Sequence, residues 1–141
     1  MRPAIIICVV AALATAVASA QATSVLVGTA HVIDGDTIIV AGEHVRLEGI
    51  DAPERNQTCQ REGKVWACGS VATQTLRGLI RNQEVSCNVV GRDAYGRALG
   101  VCSSGQVNLN AAMVRSGFAL DFRRYSSDYI PEEEAAKADR A

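Results

Sequence analysis

Val32-Ile33-Asp34-Gly35-Asp36-Thr37-Ile38-Ile39-Val40-Ala41-Gly42-Glu43-His44-Val45-Arg46-Leu47-Glu48-Gly49-Ile50-Asp51-Ala52-Pro53-Glu54 decides the fold. Two turn signals, Asp34-Gly35 and Ala41-Gly42-Glu43, divide it. Residues 36–41 are rich in β-branched side chains, and residues 44–50 alternate His, Arg and Glu with Val and Leu. Both patterns predict strands, and residues 25–33 predict another before them. Three strands in succession with tight turns make an antiparallel meander. Pro53, which has no N–H to give a ladder, ends it.

Beyond the meander, residues 54–64 are polar and read as a loop. Val71, Thr75 and Leu79, with Ala72, Leu76 and Ile80, repeat at four-residue intervals and predict an amphipathic helix over 67–81. Short strands follow at 83–90 and 97–102, around the turn-forming stretch Gly91-Arg92-Asp93-Ala94-Tyr95-Gly96. Asn108 or Asn110 can cap a short helix over 109–116. Pro131 opens a last helix whose Glu132, Glu133 and Glu134 suit a helix N-terminus. The order β-β-β-α-β-β-α-α predicts a β-rich α+β fold, a five-stranded Greek-key barrel of the OB type with about three helices.

The 141 residues are enough for one domain. Apolar residues make up 48% and charged residues 21%, which excludes disorder for the bulk of the chain. A net charge of −1 excludes a strongly basic coat protein. Residues 1–20 have the order of a secretory signal peptide: Arg2, an apolar run over 4–17, then Ala18-Ser19-Ala20. The expected organisation is therefore a signal at 1–20 and one domain over 21–141. The remaining part holds four cysteines, Cys59, Cys68, Cys87 and Cys102. In an exported chain they read as two disulfides, with three pairings open. Their spacing, with only His31 and His44 nearby, disfavours zinc.

Asp36 begins one predicted strand and Asp51 ends another. A barrel that brings these ends together would place two carboxylates beside the Ala52 carbonyl, a donor set suited to a hard dication such as Ca²⁺. Each piece also has a plain structural reading: Asp34-Gly35 as a turn, Asp51 as a strand terminator. An EF-hand is excluded, since Ile38 falls where the next ligand should be. Arg46 and Arg97 offer planar forks of donors that match phosphate oxygens, against the alternative of surface ion pairs. Glu54, three residues past Asp51, can orient or deprotonate a water.

Four segments, in order and spacing, resemble the staphylococcal nuclease (thermonuclease) family over roughly residues 25–140. They are Val32-Ile33-Asp34-Gly35-Asp36-Thr37; Val45-Arg46-Leu47 with Asp51-Ala52-Pro53-Glu54; Asp93-Ala94-Tyr95-Gly96-Arg97; and Leu109-Asn110-Ala111-Ala112-Met113-Val114-Arg115-Ser116-Gly117. The resemblance implies an OB-fold barrel and Ca²⁺-dependent hydrolysis of DNA and RNA, with cleavage of the P–O5′ bond and 3′-phosphate products. By position, Asp36, Asp51 and the Ala52 carbonyl resemble the metal ligands. Asp34 resembles their supporting carboxylate, and Glu54 the residue that handles the water. Arg46 and Arg97 resemble the phosphate-binding pair, and Tyr95 and Tyr125 the nucleotide-contacting tyrosines. The chain departs from the family pattern in several places. Ala52 replaces a common Thr, Arg123 stands in place of a second nucleotide-facing Tyr, and a lysine-rich loop becomes Arg55-Asn56-Gln57-Thr58-Cys59-Gln60-Arg61.

The cysteines suit a secreted bacterial branch of the family. The expected pairs are Cys59–Cys68, which brackets the loop before the first helix, and Cys87–Cys102, which joins the strands flanking the 91–96 turn. Taken together, the sequence reads as an exported, monomeric Ca²⁺-dependent phosphodiesterase, periplasmic or extracellular and free of membrane after signal cleavage. Its expected partners are DNA and RNA, preferably single-stranded. The competing class is a non-catalytic OB-fold module that binds nucleic acid or a protein.

Overall fold

The computed structural model describes residues 23–124 and 126–139; the expected signal at 1–20 and Tyr125 lie outside the described residues. The first three strands, β1 (Ser24–Val32), β2 (Thr37–Val40) and β3 (Glu43–Leu47), form the antiparallel meander. Two short pieces follow: β4 (Ile50–Asp51), then a hairpin of β5 (Cys59–Arg61) and β6 (Lys64–Trp66). Helix α1 (Cys68–Ile80) leads to β7 (Glu84–Arg92), β8 (Ala98–Ser104) and β9 (Val107–Asn108). The chain continues through α2 (Leu109–Arg115), β10 (Leu120–Asp121) and α3 (Ile130–Ala138).

The barrel runs β3-β2-β1-β7-β8 and closes through a parallel pairing of β3 with β8, where Val45 faces Ala98 and Leu47 faces Gly100. Closure removes the open edges that an isolated five-strand sheet would leave. Along β8 the buried positions alternate, Ala98, Gly100, Cys102 and Ser104, as a strand with one inward face requires. Ile38, Val40, Val45, Leu47 and Val85 fill the interior. Of the two helical stripes on α1, the buried one is Ala72, Leu76 and Ile80; Val71, Thr75 and Leu79 are half-buried beside it.

The two candidate caps of α2 take different roles. The Asn108 side chain accepts from the Ala111 N–H at 3.0 Å and caps the helix. Asn110 is fully buried and ties the barrel seam. Its Oδ1 accepts from the Cys102 N–H at 3.0 Å, and its Nδ2 donates to the Glu48 carbonyl at 2.9 Å and the Gly100 carbonyl at 3.0 Å.

Residues 54–64 are not a plain loop. Their second half enters the β5–β6 hairpin, whose turn residues Glu62 and Gly63 both take left-handed φ values, 51° and 76°. Positive φ at both central residues is the geometry whose twist matches two-residue hairpins, and Gly63 reaches it without strain. A polar composition hides this hairpin because only its end residues, Cys59 and Trp66, are half-buried, while the residues between them are exposed. Disulfides join Cys59 to Cys68 and Cys87 to Cys102. The first ties the hairpin to the start of α1; the second links directly opposed residues of β7 and β8.

Candidate active site

Asp36, Arg46 and Asp51 meet at one end of the barrel because three local features converge. Asp34 accepts the Asp36 N–H on Oδ1 at 3.1 Å, which fixes the turn into β2. Thr37 pairs with Arg46 across the β2–β3 ladder, so Asp36 and Arg46 sit close at its mouth. Strand β4 then carries Asp51 back, pinned by β10 through the Leu120–Asp51 pairing.

The Arg46 guanidinium bridges the two carboxylates. Nη1 lies 2.9 Å from Asp36 Oδ2, and Nη2 lies 3.2 Å from Asp51 Oδ1 and 3.3 Å from the Ile50 carbonyl. The carboxylates are unequal. The Asp36 side chain is 5% exposed and that of Asp51 56%. Asp36 Oδ2 also accepts from the Ala52 N–H at 2.9 Å, and Oδ1 from the Thr37 hydroxyl at 2.9 Å. Burial pushes the Asp36 carboxyl up from its ordinary value, against the pull of the Ala52 N–H and the Arg46 charge, while Asp34 adds to the rise. A buried carboxylate with a second one beside it and only one guanidinium between them leaves local negative charge for a cation to neutralise. Asp36, Asp51 and the Ala52 carbonyl are all oxygen donors, the chemistry a hard dication takes, and three protein oxygens leave positions for water and phosphate. Among the described residues, no three Asp, Glu, His or Cys side chains cluster as a complete metal cage.

Arg97 lines the same cleft as Arg46, a space of about 590 Å³ that also touches Tyr95 and Phe122. Asp93 organises this wall. Its Oδ1 accepts the N–H groups of Tyr95 at 2.9 Å and Arg97 at 3.0 Å, and its Oδ2 accepts Arg97 Nε at 2.7 Å. Burial works to raise the Asp93 carboxyl, but these bonds hold it below its ordinary value. Because Asp93 engages Nε, the two terminal nitrogens of Arg97 remain for a ligand. The guanidinium also sits 5.7 Å from the centre of the Tyr95 ring, which is 87% exposed.

Glu54 is exposed and its carboxylate touches none of Asp36, Arg46 or Asp51 among the described residues. Its backbone is held more tightly. The Glu54 carbonyl accepts from the Gln57 N–H at 2.8 Å, and a Cβ on Gly69 would lie 1.7 Å from that oxygen. Only glycine lets α1 approach so closely. Arg123 turns toward α3 and lies 3.6 Å from Glu133. The sequence assigned no role to Asp93, Arg92, Phe122 or Trp66. For Asp93 a signal was present: an Asp four residues before an Arg, across a Gly turn, can bond both the turn and the guanidinium.

A closed OB-type barrel whose mouth combines paired acids with two arginines over a shared cleft defines an OB-fold domain with a charged, oxygen-rich site. The chain belongs to the staphylococcal nuclease family: residues 44–141 match the family described as "Staphylococcal nuclease homologue". It is 40% identical over 106 residues to the "Succinoglycan biosynthesis protein ExoI" of Rhizobium meliloti (strain 1021), covering 72% of this chain and 55% of that protein. It is 36% identical over 105 residues to an "Uncharacterized endonuclease" of Escherichia coli O157:H7, covering 71% and 63%. It is 40% identical over 108 residues to the "Micrococcal nuclease" of Shigella flexneri, covering 67% and 57%. The chain thus spans between 55% and 63% of the length of these relatives.

Proposed function

We infer that this chain is an exported, monomeric Ca²⁺-dependent nuclease that hydrolyses single-stranded DNA and RNA to 3′-phosphate ends. The observation that carries the reading is the Arg46 bridge between Asp36 and Asp51 in a cleft shared with Arg97. The printed names of the nuclease relatives support the same class. Asp36, Asp51 and the Ala52 carbonyl are the residues proposed to hold the cation, with Asp34 fixing Asp36 from behind. A bound Ca²⁺ supplies Lewis-acid polarisation of a phosphoryl oxygen.

The protein's own groups do the rest. Glu54, exposed and unpaired, orients the attacking water and accepts its proton. Arg46 and the free end of Arg97 donate to the phosphate oxygens as charge grows there, in a site already shaped before substrate arrives. Tyr95 offers a ring to a neighbouring base, and Tyr125 is assigned the same role from the sequence. The two disulfides fit an oxidising compartment, periplasmic or extracellular.

The test is incubation of purified protein with single-stranded DNA and with RNA, in Ca²⁺ and in excess chelator, followed by end-group analysis. Cleavage in Ca²⁺ alone with 3′-phosphate ends is expected. Binding without cleavage in Ca²⁺ makes the chain a non-catalytic OB-fold module, and full activity in chelator removes the metal assignment.

A further inference from the structure

A second cleft, of about 320 Å³, opens beside Asp51 and does not include Arg97. Its walls are Asp51, Ala52, Trp66, Phe118, Leu120 and the Cys59–Cys68 disulfide. We propose that this cleft binds a nucleobase of the strand being cleaved, with Trp66 as the stacking surface; the proposal rests on the nucleic-acid reading above.

Four observations carry it. Asp51 and Ala52 belong both to the site assigned to the cation and to this cleft's wall. A strand whose phosphate reaches them therefore brings an adjoining nucleoside to the opening. The volume lies at the low end of the roughly 300–1,000 Å³ of small-ligand sites, which suits one base and little more. Trp66 is half-buried and held: Phe118 meets it edge-on, centroids 6.3 Å apart and planes at 63°, and the disulfide anchors its hairpin to α1. A ring fixed before binding loses little freedom when a base stacks on it. Finally, the Arg61 guanidinium lies 5.8 Å from the Trp66 ring centre, and Arg55, Arg61 and Lys64 are all exposed on or before the hairpin. Cations interleaved with an aromatic surface complement a strand of phosphates and bases. Leu120 is exposed at the rim, an apolar edge for the same base.

Trp66 is the chain's one tryptophan, so its emission reports this cleft alone. The probe is a short oligothymidylate whose 5′ ester oxygens are replaced by methylene, which keeps its charge and cannot be cut, titrated in Ca²⁺. The same backbone without bases is the control, and anisotropy of an end label follows binding independently. The expected result is quenching of Trp66 by the intact strand and none by the abasic one. Trp66→Leu should weaken the intact strand on the order of tenfold and leave abasic binding unchanged, whereas Trp66→Phe keeps most of the affinity. Binding of the intact strand without a change in emission, or equal quenching by both strands, overturns the proposal; the wild-type titration decides this even if a variant fails to fold. A chain that neither binds nor cuts any strand overturns the nucleic-acid reading itself, and this proposal with it.

Discussion

At the residue scale, the division of Arg97 between two jobs has a kinetic consequence. Nε is committed to Asp93 at 2.7 Å, and the terminal nitrogens point the remaining donors at a cleft that Arg46 also lines. Lysine can satisfy Asp93 or reach a phosphate, but it cannot present a fork to the phosphate while bonding Asp93. Arg97→Lys is therefore expected to lower kcat about 10²–10³-fold with a smaller change in KM. The Asp93–Arg97 pair is part-exposed, so the urea midpoint should move by less than about 1 kcal/mol in stability. Steady-state kinetics beside a urea melt separates the alternatives. Near wild-type kcat removes Arg97 from the site, and collapse of the midpoint makes it structural.

At the element scale, the barrel was legible because its strands obey period two and its turns carry Gly at the breaks; β2, β7 and β8 lie within two residues of their expected bounds, while the strand expected over 44–50 ends at Leu47 as β3 and resumes at Ile50 as β4, across Gly49 with its φ of 76°. Asp36 and Asp51 were placed at strand ends by the same logic and Arg46 within a strand, and antiparallel pairing of β2 with β3, with Thr37 opposite Arg46, is what lets Arg46 reach Asp36. The β5–β6 hairpin was not legible. Its six strand residues, Cys59-Gln60-Arg61 and Lys64-Val65-Trp66, show no alternation, since the hairpin is held by one disulfide and one packed ring instead of a buried face. The dual use of Asn108 and Asn110 was equally hidden, because capping and seam-tying call for the same side chain.

The hairpin's dependence on its cross-link gives a contrast between the disulfides. Removing either closes a loop less tightly in the unfolded chain, on the order of 3 kcal/mol each in the chain-entropy model. Only Cys59–Cys68 also lines a cleft beside Asp51. Both double Ser variants should lower the urea midpoint, but on the proposed activity only replacing Cys59 and Cys68 should raise KM for oligonucleotide in the folded protein, whereas replacing Cys87 and Cys102 should leave KM near wild type. Equal effects on KM from both double variants would sink the distinction.

At the scale of the whole molecule, α3 reaches the site through carboxylate-to-backbone hydrogen bonds and one strand pairing. Glu133 on α3 is buried; its Oε2 accepts the Asp121 N–H at 3.0 Å, and its Oε1 accepts from Lys137. Asp121 returns a bond by accepting the Tyr129 N–H at 3.1 Å. Strand β10, which holds Asp121, pairs with β4 and so fixes Asp51. The hydrogen bond from Lys137 is the chief reason the Glu133 carboxyl lies below its ordinary 4.5, with the Asp121 N–H and Arg123 acting in the same direction against burial. A carboxyl depressed in the folded state binds fewer protons there than in the unfolded chain. Its contribution to stability is thus complete above the unfolded value and is lost as pH falls through the folded one. Glu133→Gln keeps an acceptor for Asp121 and removes the charge that Lys137 meets, so at pH 7 it should cost about 1–2 kcal/mol. That cost should begin to shrink as pH drops below 4.5, where the unfolded chain takes up the proton first, and should vanish below the lowered folded value, where wild type itself protonates Glu133 and comes to resemble the variant. Urea midpoints of both proteins from pH 7 to pH 3 measure the gap directly. A gap that stays constant across that range would show that Glu133 holds α3 by shape alone, and Asp51 would then owe nothing to its charge.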